Sequence, residues 1–300
     1  MATNNVLCST GAFLGKSNHD DYSLLKEFDK ELHCDGYELM ISRSWYPKIE
    51  EMIETVKSFN LYVPVVHANK ALGEYLCGMT ATFENGVYNE YRMTEQEEQS
   101  LFEKGTELFR INLKAASGVN ARKMVLHLWN GIASDKRLEN NVRRLAEWKR
   151  LADQAGVELL VENVICNMND PLSNMLLVAD TYDDVGFVYD TKMAEFHGQT
   201  MKLFEEPYVK LVKEGRIRHL HVNDYGGGYK DWSNMKVLTI GSGKIDFETF
   251  FRKTFEIGYK GDFTVESTAL DRDGTVDFDM LNQCFDKIRD YVKKYNDVLK

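Results

Sequence analysis

Short apolar runs alternate with longer amphipathic segments along the chain. The runs are rich in Val, Leu, Ile and aromatic residues, which is typical of strands buried within a domain. Eight of them predict strands, over residues 4–9, 37–42, 61–67, 123–129, 157–163, 186–190, 217–223 and 262–267. This regular alternation is the first indication of the fold class.

The segments between the runs have the spacing of amphipathic helices. Helical patterns cover 20–32, 137–155 and 277–296. Asp170-Pro171 opens another helix, and Asp246 precedes one that ends at Gly258. Eight strands that each lead into a helix predict a parallel sheet, and eight such units in a chain of 300 residues predict an α/β fold of the (β/α)8 TIM-barrel type.

The competing fold is a doubly wound open sheet, which usually has a glycine-rich phosphate turn after its first strand. The only candidate, residues 9–15, fits that fingerprint poorly. No linker-like stretch divides the chain, so we predict one domain over 1–300. Two connections, 68–94 and 224–245, are long, and in a barrel both would lie on the face that carries function.

Composition narrows the classes of partner. A formal net charge of −10 argues against phosphate-backbone binding, so we expect no nucleic acid as partner. No apolar stretch is long enough for a membrane span, and the N-terminus does not resemble a signal peptide. The five scattered cysteines, without a CxxC motif, suit reduced thiols in a cytoplasmic protein.

Polar side chains lie at the carboxyl ends of six predicted strands, where an apolar core would exclude them. From the third strand to the eighth they are His67, His127, Glu162, Asp190, His221 and Glu266. One such residue would mean little, because strand ends are often hydrated. Six at the same end predict a single site at the mouth of the barrel.

Four of the six have the chemistry of a metal site. Strand alternation allows Glu162, Asp190, His221 and Glu266 to point inward together, and several buried carboxylates need a cation to offset their repulsion. Such an oxygen-rich cage favours one divalent ion, Mn²⁺ first, with Mg²⁺, Co²⁺ or Zn²⁺ as alternatives. The simpler alternatives are surface ion pairs for the glutamates and a helix cap for Asp190.

The segment RHLHVN places His219 and His221 on one strand face. They differ in height by about two residues, or ~6.5 Å, so a regular strand cannot direct both to one metal. His221 is nearer the mouth and is the predicted ligand. His219 is expected to pack or hydrogen-bond beneath the site.

The motifs LLVENV, FVYDTK, HLHVND and FTVES, with IGSGKIDF and IGYKG between the last two, resemble the xylose isomerase-like TIM barrels in order and spacing. These include sugar and sugar-phosphate isomerases and epimerases, inosose dehydratase and the related apurinic-site endonucleases. The resemblance runs from the second strand to the last helix. It implies that the four residues of the cage are metal ligands, and that Glu162 and Glu266 also form the acid–base pair.

Departures from the family's pattern bear on the reaction. Many members have a histidine three residues after the strand-six aspartate, but this chain has Met193, and the nearest histidine is His197. The loop GGGYKDWSNMKV lacks the Asp-x-His that a three-zinc endonuclease needs. Gly227 replaces the arginine that ketose 3-epimerases use to contact substrate.

Five further residues are candidate substrate contacts. His67 and His127 match histidines that are frequent in the family at the ends of strands three and four, and they are candidates to touch substrate or a second metal, although each could be a core histidine bonded to the backbone. Trp129, His197 and Lys230 complete the set; packing is the alternative for the tryptophan, and Lys230 is a candidate to hold a phosphate or carboxylate.

These observations lead to the hypothesis of a metal-dependent isomerase or epimerase that acts on a sugar, sugar phosphate or related polyhydroxy carbonyl compound. A dehydratase (lyase) of the inosose type is the first alternative. An apurinic-site endonuclease and a non-catalytic subunit of a larger complex are the others. Whether the substrate is phosphorylated and whether the chain forms a homo-oligomer stay open.

Overall fold

Eight parallel strands close into a barrel in the computed structural model, which describes residues 4–84, 87–130 and 134–296. They are β1 (Val6–Ser9), β2 (Gly36–Met40), β3 (Val65–His67), β6 (Lys123–Leu126), β7 (Glu158–Glu162), β8 (Gly186–Asp190), β9 (Ile217–His221) and β10 (Asp262–Val265). Around the barrel the order is β1-β10-β9-β8-β7-β6-β3-β2. The predicted TIM barrel is confirmed.

Helices follow the strands along the chain. They are α1 (Leu25–Phe28), α2 (Ile49–Ser58), α3 (Glu95–Gly118), α4 (Leu138–Gln154), α5 (Pro171–Thr181), α6 (Thr191–Phe196), α7 (Val209–Lys213), α8 (Phe247–Glu256) and α9 (Phe278–Asn296). The prediction over 20–32 was too long, because its flanks form tighter turns with i→i+3 hydrogen bonds. None of the helices in the described ranges is long and apolar enough to cross a membrane.

The long connection after β3 holds an antiparallel hairpin that the sequence reasoning missed. Its strands are β4 (Met79–Glu84) and β5 (Val87–Arg92), and they form a separate two-stranded sheet. The hairpin leads into α3, whose first turn is closed by a capping box in which Thr94 and Glu97 bind each other's backbone amides. The hairpin thus lies along the chain between β3, at the mouth of the barrel, and α3.

Two apolar regions hold the barrel together. A small cluster of Leu7, Val65, Val125, Leu160 and Val188 fills its interior, and each of these side chains is fully buried. A much larger cluster lies between the strands and the surrounding helices. Because side chains alternate along a strand, the positions two residues further on, such as His67 and Glu162, also point inward, one layer higher. The small apolar cluster therefore lies directly beneath the predicted site and forms its floor.

A bulge in β9 sets the direction of its two histidines. Phe187 pairs with Ile217, but the next residue of β8, Val188, pairs with His219, so Arg218 is an extra residue. Ile217 packs in the outer apolar cluster, and regular alternation would place His219 on that same outer side. The extra residue turns His219 and His221 into the barrel.

Candidate active site

The six predicted side chains meet at the carboxyl ends of the strands. His67, Glu162, Asp190 and His221 are the last residues of β3, β7, β8 and β9, whereas His127 and Glu266 come directly after β6 and β10. Glu162, Asp190, His221 and Glu266 each offer one ligand atom, and these atoms all lie within 4.8 Å of one another. The structure thus brings the predicted cage together, and metal ligation by it stays a prediction.

His221 occupies the centre of this cluster and is fully buried. Its Nε2 lies 3.1 Å from Glu38 Oε2, while its Nδ1 lies 3.2 Å from Glu162 Oε1 and 3.3 Å from Glu266 Oε2. In a neutral ring that donates from Nε2 to Glu38, Nδ1 carries a lone pair that faces two carboxylates. Burial lowers the pKa of His221, but the surrounding carboxylates, Glu266 foremost, outweigh it and raise the pKa well above its ordinary value.

Glu162 joins the two remaining histidines to the cluster. Its Oε2 lies 2.8 Å from Nε2 of His127 and 3.2 Å from Nε2 of His67. His67 Nδ1 lies 2.7 Å from the carbonyl oxygen of Ala68, which requires a proton on Nδ1. A neutral His67 therefore also directs a lone pair at a carboxylate oxygen. His67, His127 and Glu162 form a second group with metal-binding spacing.

Asp190 acts as a helix cap and also belongs to the cluster. Its Oδ1 accepts a hydrogen bond of 2.6 Å from the amide of Met193 at the start of α6, and its Oδ2 accepts one of 3.0 Å from Asn223 Nδ2. Asp190 therefore caps α6, as the alternative interpretation predicted, and also lies in the cluster. Burial, reinforced by the charges of Glu162 and Glu266, raises the pKa of Asp190 to about 6.

Glu266 is the carboxylate nearest to solvent, with a side chain that is 13% exposed. Burial acts to raise its pKa, but the charge and hydrogen bond of His221 outweigh this and lower the pKa to about 2. Its backbone amide donates to Asn223 Oδ1 at 3.1 Å, so Asn223 links Glu266 to Asp190. Among the described residues, no hydrogen-bond partner contacts Glu266 Oε1.

Glu38 is a fourth buried carboxylate, and the sequence reasoning missed it. It lies in the middle of β2 and is fully buried. Its Oε2 accepts hydrogen bonds from His221 Nε2 at 3.1 Å, His219 Nε2 at 3.1 Å and Thr264 Oγ1 at 3.0 Å. Burial raises the pKa of Glu38, but the two histidines outweigh it and hold the pKa well below its usual range. The available signal was one acidic residue within the apolar strand YELMI.

His219 lies one layer below His221, as predicted. Its Nε2 contacts Thr264 Oγ1 at 2.7 Å as well as Glu38, and its ring is 0% exposed. Burial lowers the pKa of His219. It therefore supports the floor of the site as a neutral ring.

The other predicted substrate contacts lie outside this cluster. Trp129 is almost fully buried and donates from Nε1 to the carbonyl of Val164 at 2.9 Å, so it packs under the loop after β7. His197 accepts a hydrogen bond of 3.1 Å from the amide of Cys166, and burial lowers its pKa to about 4. Lys230 lies 3.4 Å from the carbonyl of Asn167. Their contact with substrate stays a prediction.

A cleft of about 220 Å³ opens beside the cluster, at the carboxyl ends of β1, β2 and β3. Its lining includes Thr10, Met40, Ser42, Asn69 and Lys70. The sequence reasoning did not identify Lys70 as a site residue. Burial, which raises the pKa of Glu266, and the contact with His221, which lowers it, have the larger effects, and the positive charge of Lys70 lowers the pKa further. The cleft therefore lies at the same end of the barrel as the cluster, although none of the six clustered residues lines it.

The donor set fits a divalent cation. If both rings are neutral, lone pairs at His221 Nδ1 and His67 Nε2 face carboxylate oxygens, an arrangement that repels unless a proton or a cation lies between the atoms. The raised pKa of His221 shows that its surroundings favour a positive charge at this point, and a cation can supply that charge in place of the proton. Glu266 Oε1 adds a buried acceptor without a partner. Mixed nitrogen and carboxylate donors suit Mn²⁺, Co²⁺ and Zn²⁺. Glu162, Asp190, His221 and Glu266 would hold the ion, and the geometry does not select among these metals.

Fold and site together define a class of protein, the (β/α)8 barrels with a cluster of histidines and carboxylates at the mouth. A family model described as the xylose isomerase-like TIM barrel matches residues 30–283. The chain therefore belongs to this family. A sequence search of curated proteins gives no match.

Solved structures of the same fold resemble the whole chain at low sequence identity. A D-tagatose 3-epimerase-like protein is 18% identical, with a TM-score of 0.64 over 99% of this chain and 100% of that one. The 3-keto-D-glucoside 4-epimerase YcjR from E. coli is 15% identical, with a TM-score of 0.63 over 96% and 99%. An IolI protein with a bound zinc atom is 14% identical, with a TM-score of 0.67 over 97% and 99%.

Proposed function

We propose that this protein is a divalent-metal-dependent isomerase or epimerase of a sugar, sugar phosphate or related polyhydroxy carbonyl compound. The observation that carries the proposal is the convergence of His221 Nδ1 with oxygens of Glu162 and Glu266 at the barrel mouth. The names of the similar structures, a 3-keto-D-glucoside 4-epimerase, a D-tagatose 3-epimerase-like protein and a protein with a bound zinc atom, are consistent with it.

Glu266 has the position of the group that exchanges a proton with substrate carbon. It is the more exposed of the two candidate acid–base glutamates, at 13% against 1% for Glu162, and its Oε1 has no partner in the described structure. Such an oxygen can accept a proton and return it. A bound cation would polarise the substrate carbonyl and its neighbouring hydroxyl, which acidifies the adjacent C–H.

Glu162 has a different position from Glu266. Both histidines His67 and His127 contact its Oε2, so a proton at this oxygen can be shared with either ring. The pKa of His127 is lowered by burial, against the charge of Glu162, which keeps this ring a weak base. We propose that Glu162 serves as the second acid–base group through this pair of rings.

The test combines metal analysis with hydrogen exchange. Purified protein is expected to hold one divalent ion per chain and to exchange a carbon-bound proton for deuterium in at least one of a panel of ketoses, inososes and hydroxypyruvate. The Glu266→Gln variant is expected to lose metal and exchange. Glu74→Gln is the matched control, because Glu74 is an exposed carboxylate whose contact is Asn130, outside the cluster.

Each outcome selects among the alternatives. Exchange with interconversion of isomers supports the proposal, whereas net loss of water in the same assay assigns a dehydratase. Nicking of abasic DNA would assign an endonuclease. Stoichiometric metal in Glu266→Gln would remove Glu266 from the ligand set, and absence of both metal and exchange in the wild type would refute the proposed function.

A further inference from the structure

A second cleft, of about 650 Å³, lies on the outer side of the barrel. It is formed by the end of β5, the first turns of α3 and the first turns of α4. Four of its lining residues are arginines, namely Arg92, Arg137, Arg143 and Arg144. None of them belongs to the residue cluster at the mouth of the barrel.

Glu98 forms the rigid back of this cleft. Its carboxylate contacts Arg137 Nη1, lies 3.4 Å from Arg144 Nη2 and accepts a hydrogen bond of 3.3 Å from Asn140 Nδ2. Backbone carbonyls bind the same two guanidinium groups, that of Gly78 at 3.2 Å from Arg137 and that of Leu76 at 2.8 Å from Arg144. These two arginines are therefore held in place before any ligand arrives.

The other two arginines leave positive charge in excess. Arg143 donates to the neutral Asn140 Oδ1 at 2.7 Å, and Arg92 has no acidic partner within the described residues. The acidic residues of the lining are Glu95 and Glu98, so four arginines against two glutamates leave two positive charges, in a protein whose formal net charge is −10.

This excess is not required by the ion pairs of Glu98. Arg137 and Arg144 already satisfy that carboxylate, and further guanidinium groups nearby repel them. The amino-terminal turn of α3 borders the same space, but its own glutamates, Glu95, Glu97 and Glu98, offset the partial positive charge of the helix end. A bound anion would be attracted to each guanidinium group and would offset the repulsion between them. Planar guanidinium groups also match the geometry of phosphate oxygens.

We propose that this cleft binds a small phosphate-bearing molecule with at least two negative charges, at a site separate from the barrel mouth. Arg143 and Arg92 form no ion pair among the described residues and supply the direct contacts to the ligand, and Arg137 and Arg144 supply the fixed background charge. Because Arg92 ends the hairpin and Arg143 lies on α4, the ligand would connect the hairpin to α4. The hairpin follows His67 along the chain, beginning at Met79. A ligand bound in the cleft would therefore also restrict the motion of the connection between β3 and the hairpin.

Titration calorimetry with inorganic phosphate tests the proposal on the purified full chain. We expect saturable binding of one phosphate, weaker at high salt. Arg143→Ala and Arg92→Ala should each reduce the affinity by about tenfold, the effect of one lost charge-assisted contact. The control is Arg252→Ala, since Arg252 is exposed on α8 and pairs with Glu256. Its affinity should equal that of the wild type.

The proposal fails if phosphate binding does not saturate, or if it survives both substitutions unchanged, since the anion would then bind elsewhere, such as at the barrel mouth. Equal affinity for succinate would overturn the assignment to phosphate. Hydrogen exchange of residues 87–92 should slow when phosphate is added to the wild type and not when it is added to Arg143→Ala. Unchanged exchange in both proteins would refute the connection of hairpin to α4.

Discussion

Replacing Glu38 by glutamine removes a charge from beneath the candidate metal centre and leaves the shape of the side chain almost unchanged. Glu38 makes none of the contacts to His221 Nδ1, the nitrogen that faces Glu162 and Glu266; it contacts Nε2 instead. A carboxylate in this position fixes the orientation of the ring and raises the basicity of the opposite nitrogen. The substitution therefore tests whether Glu38 prepares His221 for a cation.

The size of the effect follows from the three hydrogen bonds to Glu38 Oε2. Each changes from charge-assisted to neutral, a loss of about 1 kcal/mol, and only the bond from His221 acts directly on the metal ligand. About 1 to 2 kcal/mol corresponds to a loss of roughly fivefold to thirtyfold in metal affinity. This overlaps the lower part of the range of about 10- to 100-fold that outer carboxylates contribute in metal sites.

The assay is competition between the protein and a chelator for Mn²⁺, with thermal unfolding of the metal-free protein to confirm that the variant folds. Glu158→Gln is the matched control, because Glu158 lies at the other end of the barrel on β7 and pairs with Arg218. If Glu38→Gln binds Mn²⁺ as tightly as the wild type and Glu158→Gln do, the carboxylate does not orient His221 for metal and the reasoning is wrong.

Three further predictions address the site and the fold. Glu162→Gln should lower Mn²⁺ affinity by about 100-fold or more, a larger loss than that expected for Glu38→Gln. If purified Glu162→Gln contained as much metal as the wild type, ligation by Glu162 would be contradicted. Removing metal with a chelator should lower thermal stability, by about 2.7 kcal/mol if the ion is at a hundred times its dissociation constant, and an unchanged melting temperature would count against a resident ion. For Glu98, burial raises the pKa, but hydrogen bonds from Arg137 and Asn140 outweigh it, so the pKa in the folded state is lowered. The resulting stabilisation is present above the unfolded pKa of about 4.3 and is lost as pH falls through the folded pKa. In urea unfolding, Glu98→Gln should therefore be about 1 to 3 kcal/mol less stable than the wild type at pH 7, and this difference should disappear in acid.

The strand ends could be predicted from the sequence because two local regularities coincide there. A buried parallel strand is apolar, and a polar residue at its carboxyl end, such as Glu162 or Asp190, interrupts the pattern at the place where barrels carry function. Seven of the eight barrel strands are shorter than predicted, whereas β8 has the predicted bounds. His127 and Glu266, for example, follow β6 and β10 rather than lying within them, and still face the mouth cluster.

Glu38 and the arginine cleft could not be predicted in the same way. Glu38 lies mid-strand, and its meeting with His219 and His221 depends on the stagger of strands around the closed barrel, which one strand's sequence does not contain. The cleft depends on a hairpin that places Arg92 beside α4. In the sequence its arginines are dispersed, and no long basic run marks them.

The four carboxylates of the site differ in how accessible they are from the barrel mouth, and this difference indicates which one reacts. Three hydrogen bonds reach Glu38, and Asp190 accepts from the amide of Met193 and from Asn223. Both side chains are bound by the protein and are almost fully buried, so a substrate at the barrel mouth has little access to them. Oε1 of Glu38 and Oε1 of Glu266 both lack a hydrogen-bond partner among the described residues, but Glu38 is fully buried, whereas Glu266 is the most solvent-accessible of the four. An unsatisfied carboxylate oxygen is costly unless substrate or metal uses it, so Glu266 is the group we expect to accept the proton first.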